Sequence, residues 1–127
     1  MFYPDLTRFG VDMERLQRER LARLQAEMKR DGLGALILTD FLNVRYATNT
    51  VMMLGLRATG IQRFALIPAA GEPIICQRQL SRRSNYRSLR FDAYMFAMRP
   101  PIATQDFVDQ AAAGLRELGA AGEKVGV

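Results

Sequence analysis

The feature that most constrains the fold of this chain is a short apolar run at residues 34–39, GALILT. A run of this length with little polar alternation is typical of a β-strand that is covered on both faces. Such a strand needs one packing layer on each side of its sheet. The run therefore predicts a layered α/β domain rather than an all-β or all-helical one.

An amphipathic helix is predicted directly before this strand, over residues 12–31. Asp12 suits its first position and the glycine at 32 suits its end. Arg20 lies near the apolar stripe, and we expect it to snorkel or to pair outward. Core packing explains the stripe without any cofactor. The stripe consists of Met13, Leu16, Leu21, Leu24 and Met28.

Three further strand patterns follow the first strand. Residues 63–77 read as a hairpin with its turn at AAGE, residues 91–98 as another strand, and residues 123–127 as the beginning of a last one. A strand that begins so near the last residue suggests either a truncated chain or a boundary between domains. The order of helices and strands indicates a mixed sheet.

A second amphipathic helix is predicted at residues 105–118, with Thr104 as its cap and Gly119 at its end. Its apolar residues recur at helical spacing and are expected to face the core. They are Phe107, Val108, Ala111, Leu115 and Leu118.

Polar residues crowd the segment 41–50, FLNVRYATNT, which follows the first strand. We expect a short helical turn there, with Asn43 making a local bond to the backbone and the Tyr46 ring inserted into the core. The alternative is direct ligand contact by Asn49 or Arg57. If the segment is a helical turn, its remaining polar residues satisfy backbone groups of the turn. These residues are Thr48, Asn49 and Thr50.

The composition excludes most catalytic arrangements. The 127 residues include no histidine, which removes the commonest general base and zinc ligand. The acidic residues are scattered, and no glycine-rich phosphate-binding motif occurs. We therefore predict no catalytic residue, no metal ligand and no cofactor in this chain. A single cysteine, Cys76, rules out an internal disulfide framework.

The sequence contains no signal for secretion or for membrane insertion. Its first residues have no apolar signal region, and no apolar run is long enough to span a bilayer. We expect a cytoplasmic protein.

Residues 78–90, RQLSRRSNYRSLR, contain five of the arginines that give the chain its formal charge of +5. One interpretation is a free-standing basic module that binds nucleic acid, with arginines on phosphates and Tyr86 as a stacking platform. The favoured interpretation is a solvated surface helix, or one that pairs with another domain, because only one aromatic residue is interleaved. We therefore do not expect nucleic acid to be a partner.

With these elements placed, the chain resembles the N-terminal domain of the creatinase/prolidase family, which includes Xaa-Pro aminopeptidase. The resemblance is carried by RERLARLQAEMKRDGLGALILTDFLNVRYATNT at residues 18–50 and by RFALIPAAGEPIIC at residues 63–76. Within the family, NVRYATNTVMM is most similar to the dimethylsulfoniopropionate lyase subgroup.

The resemblance implies that residues 1–127 form one N-terminal domain with a mixed sheet of about six strands flanked by helices, similar to ribonuclease H. It also implies a downstream catalytic domain, absent from this chain, that holds two divalent metal ions on two Asp, one His and two Glu. The family's N-terminal domain assists formation of a homodimer or higher oligomer and reaches over the neighbouring subunit's active site. The parent protein would be a hydrolase of this family or a related lyase.

Three residues are candidates for a substrate-facing lip under this resemblance. Asn49 stands where the family turn often has glycine. Arg57 and Arg63 are nearest to the family position at which an arginine binds the substrate carboxylate across the subunit interface. We therefore expect a non-catalytic accessory domain, with the nucleic-acid module as the competing interpretation.

Overall fold

A computed structural model describes residues 9–50, 63–77, 87–90 and 100–127 of the chain. Its elements run in the order α1 (Met13–Arg30), β1 (Ala35–Leu38), α2 (Phe41–Thr48), β2 (Arg63–Pro68), β3 (Ile74–Gln77), β4 (Arg87–Arg90), α3 (Pro100–Glu117) and β5 (Val125–Gly126). None of the helices within these ranges is long and apolar enough to cross a membrane.

Local hydrogen bonds define both ends of helix α1. The Asp12 carboxylate accepts a hydrogen bond from the Arg15 backbone N–H at 2.9 Å, which satisfies one donor of the first turn. At the other end Gly32 adopts a φ of 70°. The N–H of Leu33 then reaches back to the Met28 carbonyl at 2.8 Å, which closes the helix and turns the chain into β1.

The sheet is mixed, as predicted, with the strand order β4-β3-β2-β1-β5. β2 pairs antiparallel with both β1 and β3, whereas β4 pairs parallel with β3 and β5 pairs parallel with β1. The described residues form five strands, fewer than the predicted number of about six, and β5 has only two residues. The strand predicted at 91–98 lies outside the described residues.

Side chains of the central strands alternate between two hydrophobic clusters, one on each face of the sheet. Phe64 and Leu66 of β2 pack with Ala111 of α3 on one face. Ala65 and Ile67 of the same strand pack with α1 and α2 on the other. The prediction that β1 is covered on both faces is confirmed, because Ile37 packs against the first cluster and Leu36 and Leu38 pack against the second.

Three predictions about individual elements are wrong. Residues 87–90 form strand β4 instead of part of a surface helix. Helix α3 begins at Pro100, four residues before the predicted Thr104 cap, because a proline without an N–H is tolerated in the first turn. Val108, predicted to face the core, is 49% exposed, whereas Ala111 is buried.

Candidate functional site

Helix α2 leaves the carboxyl end of β1 through a cap made by Asp40. The Asp40 Oδ1 atom accepts hydrogen bonds from the backbone N–H groups of Leu42 at 3.0 Å and Asn43 at 3.1 Å. The local bond predicted for the Asn43 side chain is therefore made by Asp40 instead. The carboxylate compensates the donors that the first helical turn leaves unpaired, so the helix starts at a defined residue.

The far end of α2 is a compact polar turn. The Thr48 hydroxyl donates to the Val44 carbonyl at 2.6 Å and lies 2.8 Å from the Thr50 hydroxyl. Because Thr48 has one hydroxyl proton and uses it on Val44, Thr50 donates to Thr48. Both threonines are buried. The prediction that Thr48, Asn49 and Thr50 satisfy backbone groups of the turn is confirmed for the Thr48 hydroxyl, which bonds to the Val44 carbonyl and accepts from the Thr50 N–H. The bond between the two threonine hydroxyls accounts for polar groups beside the core.

Asn49 lies between these threonines and adopts a left-handed backbone conformation, with φ 53° and ψ 18°. Its N–H donates to the Arg45 carbonyl at 2.8 Å, which ends the helix. Asparagine and glycine tolerate this conformation better than other residues do. The left-handed backbone conformation thus explains why an asparagine suits position 49, in addition to any contact that its half-buried side chain makes.

The backbone reason leads to a stability prediction for this position. We expect the free energy of unfolding of Asn49→Gly to lie within about 0.5 kcal/mol of the wild-type value. We expect that of Asn49→Ala to be lower by about 1 kcal/mol, since alanine is strained at positive φ. Urea denaturation of the two variants measures the difference. Equal losses in both variants would show that the asparagine side chain, and not the backbone conformation, determines stability here.

The outward side of α2 carries two apolar side chains. One of them is Tyr46, and the prediction that its ring inserts into the core is wrong. Tyr46 is 40% exposed, so its ring does not insert into the core. The ring instead lies under the guanidinium of Arg20 from α1, with 5.4 Å from the Arg20 Cζ atom to the ring centroid. Leu42, one turn earlier on the same side, is 63% exposed. The four-residue spacing of Leu42 and Tyr46 was the sequence signal for this pair.

The structure places two of the three lip candidates at defined backbone positions. Asn49 ends α2, and Arg63 is the first residue of β2. Leu38 at the end of β1 pairs with Ala65, so Arg63 lies at the sheet end from which the chain leaves toward α2. Arg57 lies outside the described residues. The candidates are not shown to meet in one site.

No ligand set for a metal ion occurs within the described ranges, where no three His, Cys, Asp or Glu side chains cluster. Cys76 on β3 is buried among apolar side chains, and burial raises the pKa of its thiol to about 12. A thiol with so high a pKa is protonated at neutral pH and is not a nucleophile.

An open groove of about 420 Å³ lies at the opposite end of the sheet, where β1 begins and β2 ends. The glycines that end α1 and α3, Gly32 and Gly119, line it together with the charged residues Lys29 and Glu123. Sequence reasoning identified both glycines as helix ends but did not bring the two ends together. The groove is separate from the α2 region, and it lacks the enclosed walls of most small-molecule sites.

Comparisons with known proteins identify the family of this domain. A family model described as the creatinase/prolidase N-terminal domain matches residues 20–127. The structure of an Xaa-Pro aminopeptidase from Streptococcus pyogenes is similar over 90% of this chain and 92% of its own, at 18% identity and a TM-score of 0.50. At that identity the likeness supports the fold alone.

Two other solved structures are similar. The N-terminal domain of the cytoplasmic peptidase PepQ from Mycobacterium tuberculosis is 16% identical over 85% of this chain and 89% of that one, with a TM-score of 0.48. A proline dipeptidase from Streptococcus pneumoniae is 16% identical over 44% of this chain, with a TM-score of 0.36. The match spans only 38% of the length of that dipeptidase. A comparison with curated proteins found no match.

Proposed function

Because this chain belongs to the creatinase/prolidase N-terminal domain family, we propose that it is the non-catalytic N-terminal domain of a metal-dependent, Xaa-Pro peptidase-like enzyme. The observation that carries the proposal is the family match over residues 20–127, combined with the lack of histidine in the sequence. A domain of this family without the usual acid-base or zinc-binding side chain is suited to binding and assembly rather than to bond cleavage.

The chemistry of the enzyme would then reside in a catalytic domain downstream of this one. The residues present do not fit a metal centre, since no cluster of His, Cys, Asp and Glu occurs in the part of the chain that the structure describes. We propose that the downstream domain holds two divalent metal ions. The similarity of the fold to that of an Xaa-Pro aminopeptidase makes peptides with proline in the second position the first substrates to test.

The role proposed for this domain is to assist oligomerisation and to cover the active site of a neighbouring subunit. The end of the sheet that contains α2 and the start of β2 is the side we assign to that active site. An arginine there would hold a substrate carboxylate, because the guanidinium presents its donors in a fixed fork. Arg63 starts β2 at this end, and Arg57 precedes it in the sequence.

The experiment uses the protein that carries this chain together with its catalytic domain. We expect hydrolysis of Xaa-Pro dipeptides in the presence of Mn²⁺, and no hydrolysis by the 127-residue chain alone. We expect Arg57→Ala or Arg63→Ala to lower kcat/KM at least about tenfold, equivalent to about 1.4 kcal/mol, with an unchanged Tm. Loss of a positioning contact affects turnover without unfolding the domain.

Arg18→Ala is the matched control, because Arg18 is an exposed arginine on α1 with a single pairing to Glu14 at 3.8 Å. If neither Arg57→Ala nor Arg63→Ala loses more than about twofold relative to this control, the substrate-lip role is wrong. An active enzyme that cleaves dimethylsulfoniopropionate but no Xaa-Pro peptide would instead assign the parent protein to the lyase subgroup that NVRYATNTVMM resembles.

A further inference from the structure

We draw no further inference here: the strongest candidate, the open groove between the carboxyl ends of α1 and α3, is lined by two helix ends, small or apolar side chains and the exposed charges of Lys29 and Glu123, and nothing among the described residues shows what occupies it.

Discussion

Phe64→Ala is expected to destabilise this domain by about 3–5 kcal/mol, because it removes a large side chain from the centre of one hydrophobic cluster. Phe64 is fully buried between Leu66, Ile74 and Ala111. Its ring meets that of Phe107 on α3 edge to face, with 4.8 Å between the ring centroids. The substitution therefore removes both buried area and the aromatic contact that attaches α3 to the sheet.

Such a loss is a large part of the total stability of a domain of this size, which is about 5–15 kcal/mol. Urea denaturation gives the difference in the free energy of unfolding. Val108→Ala on α3 is the matched control and is expected to cost less than about 0.5 kcal/mol, because Val108 is exposed. Similar losses in the two variants would mean that α3 does not pack on the sheet through Phe107.

The second large effect concerns pH and the buried thiol of Cys76. Desolvation, and to a smaller extent the charge of Glu117, raises the pKa of this thiol from 9.0 to about 12. A raised pKa means that the folded state keeps its proton where the unfolded state has lost it. The contribution to stability is complete below pH 9 and is lost as the pH rises from about 9 to about 12.

We expect the wild type to lose about 1.4 kcal/mol of this contribution by pH 10, relative to a variant without the thiol. The measurement is the free energy of unfolding of the wild type and of Cys76→Val at pH 8 and pH 10. Tyrosine and lysine titrations are common to both proteins and cancel in the difference. A difference between the two proteins that does not change with pH would show that the Cys76 thiol is accessible to solvent.

The parts of the fold that the sequence predicted well are those in which local pattern and tertiary packing agree. The Asp12 cap and the apolar stripe of α1 both specify the helix that is found at Met13–Arg30. The hairpin of β2 and β3 follows from two apolar runs around a glycine-containing turn, and Gly71 there has a φ of 98°. In each case a short-range signal is sufficient to determine the element.

The wrong predictions concern residues whose burial or conformation is determined by tertiary contacts. α2 packs inward through the small residues Ala47 and Thr48 with Val44, so the larger Tyr46 ring remains outside. Periodicity within an eight-residue helix does not distinguish these two faces. β4 carries two arginines in four residues, and its strand conformation is specified by backbone pairing with β3 rather than by an apolar pattern.

The candidate site was predictable only in part. The helical turn after β1 follows from local signals. The left-handed backbone of Asn49 was not predicted, although the glycine that the family turn often has at this position tolerates the same conformation. The Arg20 contact with Tyr46 joins residues 26 positions apart on two helices. Such a contact depends on how α1 crosses α2, which no short sequence pattern encodes.

The two hydrophobic clusters differ in the order in which a ribosome supplies their residues. Among the residues that the structure describes, the cluster between the sheet and helices α1 and α2 consists of residues between Leu21 and Ala69, and these can pack together once the β2 segment has emerged. The cluster on the other face needs Phe107, Ala111 and Leu118 from α3. Until translation reaches them, Phe64, Leu66, Ile74 and Cys76 lack these contacts on the nascent chain. The incomplete domain thus presents apolar side chains on which a chaperone can act until α3 packs against them.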